Sequence, residues 1–156
     1  DHPKKAAQVI ECLWDEDAGV ANRAADALER ASYSNSNLLA PWKEMLLGRM
    51  VDATENKLRW NLALMAPRMA LTVAETERTA VVLQSWLDDR SSIVKTCAMH
   101  GLTVLTRSNS AMLPEVMDML RLLSRSGTPA MRARGRILLK RMESRSRASE
   151  DVHKRS

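Results

Sequence analysis

Hydrophobic and polar positions recur along this chain in four segments that overlay on one another. They are Val20-Ala-Asn-Arg-Ala24-Ala-Asp-Ala-Leu28, Leu58-Arg-Trp-Asn-Leu62-Ala-Leu-Met-Ala66, Val94-Lys-Thr-Cys-Ala98-Met-His-Gly-Leu102 and Met131-Arg-Ala-Arg-Gly135-Arg-Ile-Leu-Leu139. Ala24, Leu62, Ala98 and Gly135 occupy equivalent places, 38, 36 and 37 residues apart. A period of this size marks stacked supersecondary units, each burying its apolar side against its neighbours. With the first residue of each segment at zero and ~100° per residue, offsets 0, +4, +7, +8 and +11 form one stripe. In the first unit the stripe holds Val20, Ala24, Ala27, Leu28 and Ala31. In the last it holds Met131, Gly135, Leu138, Leu139 and Met142, with Arg132, Arg134, Lys140 and Arg141 facing away. The two middle segments are apolar almost all round, as units flanked on both sides must be. Polar end units keep such an array soluble, so the pattern predicts four units forming a complete domain.

The spacing predicts an all-α protein of eight helices in four antiparallel pairs, with no sheet. First helices are expected over roughly 4–14, 39–51, 74–88 and 111–124, and second helices over roughly 18–32, 54–70, 91–107 and 129–146. The repeats then span roughly 4–32, 39–70, 74–107 and 111–146 of a single domain 1–146, with 147–156 a basic, disordered tail. Polar punctuation separates the units: Ser34-Asn-Ser-Asn37, Leu71-Thr72 and Ser108-Asn-Ser110. Thr72 and Glu75 have the spacing of a capping box. Ser126-Gly127-Thr128-Pro129 stops one helix and starts the next with Pro near its first position. Pro67, inside a predicted second helix, is expected to kink it.

Composition reinforces the helical reading. The chain has ten Met but four Trp, one Tyr and no Phe, and residues of the Ala, Leu and Met type lose little on entering a helix. No apolar run approaches the ~20 residues that span a bilayer, which predicts no membrane partner, and no signal-peptide pattern opens the chain. Asp1 in place of an initiating Met reads as a trimmed or truncated start. Cys12 and Cys97 would lie two units apart, too far for the ~7 Å limit of a disulfide, and unpaired thiols fit a reducing, cytoplasmic setting. Charge is unevenly placed. Residues 121–156 carry 11 Lys and Arg against 3 acids, while 1–120 carry 13 against 16, so all of the +5 net charge resides in the last quarter. That basic end is either an anion-binding surface, nucleic acid included, or a solvated cap.

An acidic turn followed by Val-Arg-x-x-Ala-x-x-Ala/Gly-Leu resembles the HEAT repeat and its HEAT-like and armadillo relatives. The pattern is fullest at Asp88-Asp-Arg-Ser-Ser-Ile-Val94-Lys-Thr-Cys-Ala98-Met-His-Gly-Leu102, good at Leu58-Arg59 and Met131-Arg132, and weaker in the first unit, where Ala21 replaces the basic residue. It covers roughly residues 4–144. The resemblance implies a right-handed α-solenoid whose second helices line a concave face, in a family made mostly of binding scaffolds. One HEAT-like family, the alkylpurine DNA glycosylases, is enzymatic and uses an Asp beside Trp residues in a basic groove. Here the residue one turn after Trp60 is Leu64.

No phosphate loop, nucleophile elbow or His-Glu-x-x-His helix occurs. His2, His100 and His153 have no partner at metal-ligand spacing. The expectation is therefore a non-enzymatic scaffold without cofactor or metal, binding a protein or peptide, with a nucleic-acid-binding solenoid as the alternative. Arg59, Lys95 and Arg132 share offset +1. They either form a cationic ladder on the concave face or pair with acids of the preceding turn, Asp52 for Arg59 and Asp88 or Asp89 for Lys95. Trp60, Leu64, Met99 and His100 lie off the stripe, either as a pocket for a partner's side chain or as packing between units. Trp14, Trp42 and Trp86 are expected to fill the core or the joints between units. On the last helix Arg136 is a candidate partner contact, and Arg134, Lys140 and Arg141 are candidate anion ligands.

Overall fold

A computed structural model of the protein describes the backbone of residues 2–153 and the side chains of 5–145. Every regular element among them is helical. The eight α-helices are α1 (His2–Glu11), α2 (Ala18–Ser34), α3 (Lys43–Asp52), α4 (Asn56–Met65), α5 (Val73–Ser85), α6 (Ser92–Leu105), α7 (Leu113–Ser126) and α8 (Pro129–His153). The expected first helices are recovered once short 3₁₀ turns are joined to them: Cys12–Trp14 after α1, Ser36–Trp42 before α3, Trp86–Asp88 after α5 and Ser110–Met112 before α7. The tail expected from 147 falls on residues whose side chains, and from 154 whose backbone, lie outside the described residues. No helix among the described residues is long and apolar enough to cross a membrane.

Local chemistry explains the boundaries. The Asp17 carboxylate accepts from the N–H of Gly19 at 2.6 Å and of Val20 at 3.3 Å, opening α2. Thr72 and Glu75 close the expected capping box: the Thr72 hydroxyl accepts from Glu75 N–H at 3.2 Å, and Glu75 Oε2 accepts from Thr72 N–H at 2.7 Å. Pro67 departs from expectation. It ends α4 instead of kinking it, because a ring without N–H leaves the Ala63 carbonyl without its helical donor. The chain finishes in a 3₁₀ turn, Ala66–Arg68.

The four second helices form one layer, α4 packing on α2, α6 on α4 and α8 on α6, while each first helix packs on the second helix of its own pair. The four aligned residues are all buried, and Leu58, Leu62, Val94, Ala98 and Leu102 belong to one continuous apolar core. Close approach depends on glycine at two places. A Cβ on Gly101 would stand 2.6 Å from the Ala63 carbonyl oxygen and 2.9 Å from Leu83 Cδ1. A Cβ on Gly135 would meet Ser124 Cβ at 3.1 Å, so α8 rides close on α7.

Two expectations are corrected. On α2 the buried positions are Ala21, Ala24, Ala25, Leu28 and Ser32, while Ala27 is exposed. The stripe is rotated toward offsets +1 and +5, because α4 covers that flank. Trp14 is 46% exposed and not core, with the Arg49 guanidinium 6.0 Å from its ring centroid. Trp86 is buried and Trp42 half-buried.

Candidate functional site

Helical offset decides which side chains can meet a partner. At offsets +1 and +5 a side chain points along the layer toward the following unit. Ala25, Ala63 and Met99 hold +5 and are buried, Met99 completely. Met99 therefore offers a partner no surface, contrary to its place among the candidate contacts. Arg59, at +1, donates from Nη1 to Asp89 Oδ2 at 2.6 Å and from Nε to the Ala53 carbonyl at 2.7 Å. Its guanidinium lies 5.8 Å from the Trp86 ring centroid. The partner is thus the acid of the following turn and not Asp52: Arg59 ties the second unit to the third. Lys95 is half-buried and has no ion-pair partner among the described residues, Asp89 being held by Arg59. Arg132 and Arg136 sit on the same flank of α8, where no further unit follows within the described residues, and both are exposed. Arg132 donates to the Gly127 carbonyl at 3.3 Å. Of the three cations at offset +1, Arg59 alone among the described residues is engaged in a joint between units, by its pair with Asp89.

The open side of the layer is read at offsets +2, +6, +10 and +13. On α2 these are Asn22, Asp26, Arg30 and Tyr33; on α4 and its 3₁₀ turn, Trp60, Leu64 and Arg68; on α6 and the turn beyond, Thr96, His100, Val104 and Arg107; on α8, Ala133, Ile137, Arg141 and Ser144. None of them is buried. Trp60 packs against the core while remaining half-buried, and Leu64, one turn on, is half-buried as well.

Charge varies across this face. At the α2 side the acids are satisfied: Asp26 by Lys57 at 2.8 Å and Asn61 at 2.9 Å, and Glu29 by Arg68 at 2.6 Å. Lys57 and Asn61 hold the Asp26 carboxyl below its ordinary value against the opposing effect of burial. Arg68 also donates to the Ser32 hydroxyl at 3.2 Å and stands 5.1 Å from the Tyr33 ring centroid. Toward α8 the balance reverses. Arg134 Nη2 lies 3.3 Å from His100 Nδ1. Burial first, then Arg134, Arg68, Arg107 and Arg141, press the His100 pKa down to about 4. Burial likewise pushes the Cys97 thiol up to about 11, leaving it protonated and unreactive at neutral pH. Both cysteines are unpaired.

Two grooves meet at His100. One, of about 550 Å³, runs between α6 and α8 and is floored by Thr103, Ile137 and Leu138; the other, of about 660 Å³, reaches past Val104 to Tyr33 and Arg68. His100, Arg107 and Arg141 line both, and no carboxylate lines either. Lys140 borders the first groove, and Arg134 orients the histidine between them. Of the candidate residues, the fold thus brings His100, Arg134, Lys140 and Arg141 together. It places Trp60 and Leu64 on the same open face and leaves Arg59, Lys95, Arg132 and Arg136 on the flank. Arg68 and Arg107 escaped the sequence reading. Their signal was present, since Arg68, Val104 and Arg141 share offset +10, and Tyr33 and Arg107 share +13, beyond the nine residues that were aligned. No group of three or more metal-ligating side chains occurs among the described residues. No protein-family model, curated protein or solved structure matches the chain.

Proposed function

We propose that this chain is a HEAT-like helical-repeat scaffold, a right-handed α-solenoid that does no chemistry and binds a segment of a protein partner across the open face of its second helices. The observation that carries this reading is the composition of that face. Half-buried Trp60 and Leu64 stand one turn apart on α4, on the same open face as the grooves lined by Arg107 and Arg141, and neither arginine has an acid partner among the described residues. An aromatic anchor at one part of the face and unneutralised guanidinium groups at another suit an extended acidic peptide with one or two apolar side chains. The array form also favours it, because small rotations between units build an extended binding surface. A cytoplasmic setting fits the two unpaired cysteines. Nucleic acid is the weaker alternative: the cations are focused at one end, Asp26 and Glu29 occupy the other, and Arg59 is spent on Asp89.

Affinity capture from native lysate tests this, using the wild-type chain, Trp60→Ala/Leu64→Ala, Arg107→Gln/Arg141→Gln, and Arg132→Gln/Arg136→Gln for the flank. The expected result is a protein set lost from the first two variants, kept by the flank variant and indifferent to nuclease. Nuclease-sensitive capture would reject the peptide reading. Trp60→Ala should weaken partner binding by ~2 kcal/mol or more. Its folding cost should stay below the ~3–5 kcal/mol of a fully enclosed aromatic.

A further inference from the structure

The junction of the two grooves has a donor arrangement more specific than a basic patch. A guanidinium only donates hydrogen bonds, so the 3.3 Å contact between Arg134 Nη2 and His100 Nδ1 makes Nδ1 the acceptor. The proton of the neutral imidazole is then on Nε2. No buried side-chain nitrogen or oxygen among the described residues lacks a hydrogen-bond partner. Nε2 has none among the described residues, so its N–H reaches the solvent of the groove. Arg107 and Arg141 line both grooves around it without an acid partner among the described residues, and Lys140 borders one of them.

We propose that this junction is a receptor for a phosphomonoester carried by the partner segment, with His100, Arg107 and Arg141 as its donors and Arg134 as the residue that positions the imidazole. The proposal rests on the peptide-binding reading above. Three donor groups lining the same two grooves match the three terminal oxygens of a phosphomonoester better than the two of a carboxylate, and the planar fork of arginine suits phosphate geometry. A neutral histidine donates without adding charge, leaving two guanidinium groups opposite a dianion. The same features disfavour a nucleic-acid strand. A strand needs a continuous cationic track, whereas here the carboxylates of Asp26 and Glu29 share the face.

Fluorescence anisotropy of the full chain tests the receptor, using labelled degenerate peptide pools that differ only in a central phosphoserine, serine or glutamate, with a single-stranded oligonucleotide alongside. The phosphoserine pool should bind about tenfold tighter than the serine pool, with glutamate between them. Arg107→Gln/Arg141→Gln should erase that preference, and Arg132→Gln/Arg136→Gln should keep it. In a second measurement, inorganic phosphate should move the imidazole NMR resonances of His100 and leave those of His2 and His153 in place. Equal binding of the phosphoserine and serine pools would overturn the receptor while leaving the peptide-binding reading intact. A preference that survives in Arg107→Gln/Arg141→Gln, or His100 resonances that ignore phosphate, would also overturn it. Binding of the oligonucleotide alone would overturn both.

Discussion

At the scale of single residues, Gly101 and His100 show how one side chain or its absence sets a local energy. Gly101 faces a carbonyl that Pro67 has stripped of its helical donor, and a Cβ there would sit 2.6 Å from Ala63 O. Backbone cannot step aside as a flexible side chain can, so Gly101→Ala should cost ~1–3 kcal/mol despite the better helix propensity of Ala. Urea unfolding measures this, and a neutral or stabilising result would mean that α4 and α6 are less tightly joined. The lowered pKa of His100 works through linkage. Between about 4 and 6.5 the unfolded chain binds the proton that the folded chain refuses. The histidine's contribution to stability is therefore complete above pH 6.5 and is lost as pH falls toward 4. Arg134→Met should raise the His100 pKa only in part, since burial is the larger cause, and an NMR titration that finds no rise would contradict the placement of that guanidinium.

At the scale of the element, α5 shows how a helix start is joined to a neighbouring unit. Glu75 completes the capping box on Thr72 and also binds Lys43, the first residue of α3, at 2.8 Å. The Lys43 ammonium and the Thr72 N–H together hold the Glu75 carboxyl below its ordinary 4.5. Its stabilisation is present above 4.5 and disappears as pH falls through the depressed folded value. Thr72→Ala should cost ~1 kcal/mol at neutral pH by loss of the cap. Glu75→Gln should cost ~1–2 kcal/mol at pH 7, the Lys43 pair being only partly screened. The penalty should shrink in thermal melts as pH falls below 4.5 and through the depressed folded value; a penalty independent of pH would assign Glu75 a packing role alone. The cap was legible beforehand because it is a spacing of two residues. The end of α4 was not, since a proline inside a helical pattern can kink or terminate, and here α6 closes over the carbonyl it exposes.

At the scale of the whole molecule, stability depends on the joints between units. Asp89 has only 3% of its side chain exposed and is bound by Arg59 from the preceding unit at 2.6 Å. A double-mutant cycle with Arg59→Gln and Asp89→Asn should give a coupling of ~1–3 kcal/mol. The exposed pair Arg121–Asp118 within α7 should give at most ~0.5 kcal/mol. Equal couplings would remove the special role of the joint. Met99→Ala, at the offset that faces the following unit, should cost ~2–5 kcal/mol. Hydrogen exchange should then show α6 and α8 losing protection together.

The repeat, the helix pairs and their polar breaks were all legible in the amino-acid order, because helix formation and the burial of a 3.6-period stripe depend on neighbours a few residues away. Offsets +4 and +8 were legible for the same reason. What each remaining offset faces was a matter of stacking. In sequence, Arg59 could face the groove or pair with an acid, and Met99 could line a pocket or pack between units; the Arg59–Asp89 pair and the full burial of Met99 follow from stacking. His100 is an ordinary histidine in sequence. Its depressed pKa and fixed tautomer come from burial and from arginines 32 residues before it and 7, 34 and 41 after it. Those separations span three units. A short window cannot register a field that chain folding assembles from groups so far apart.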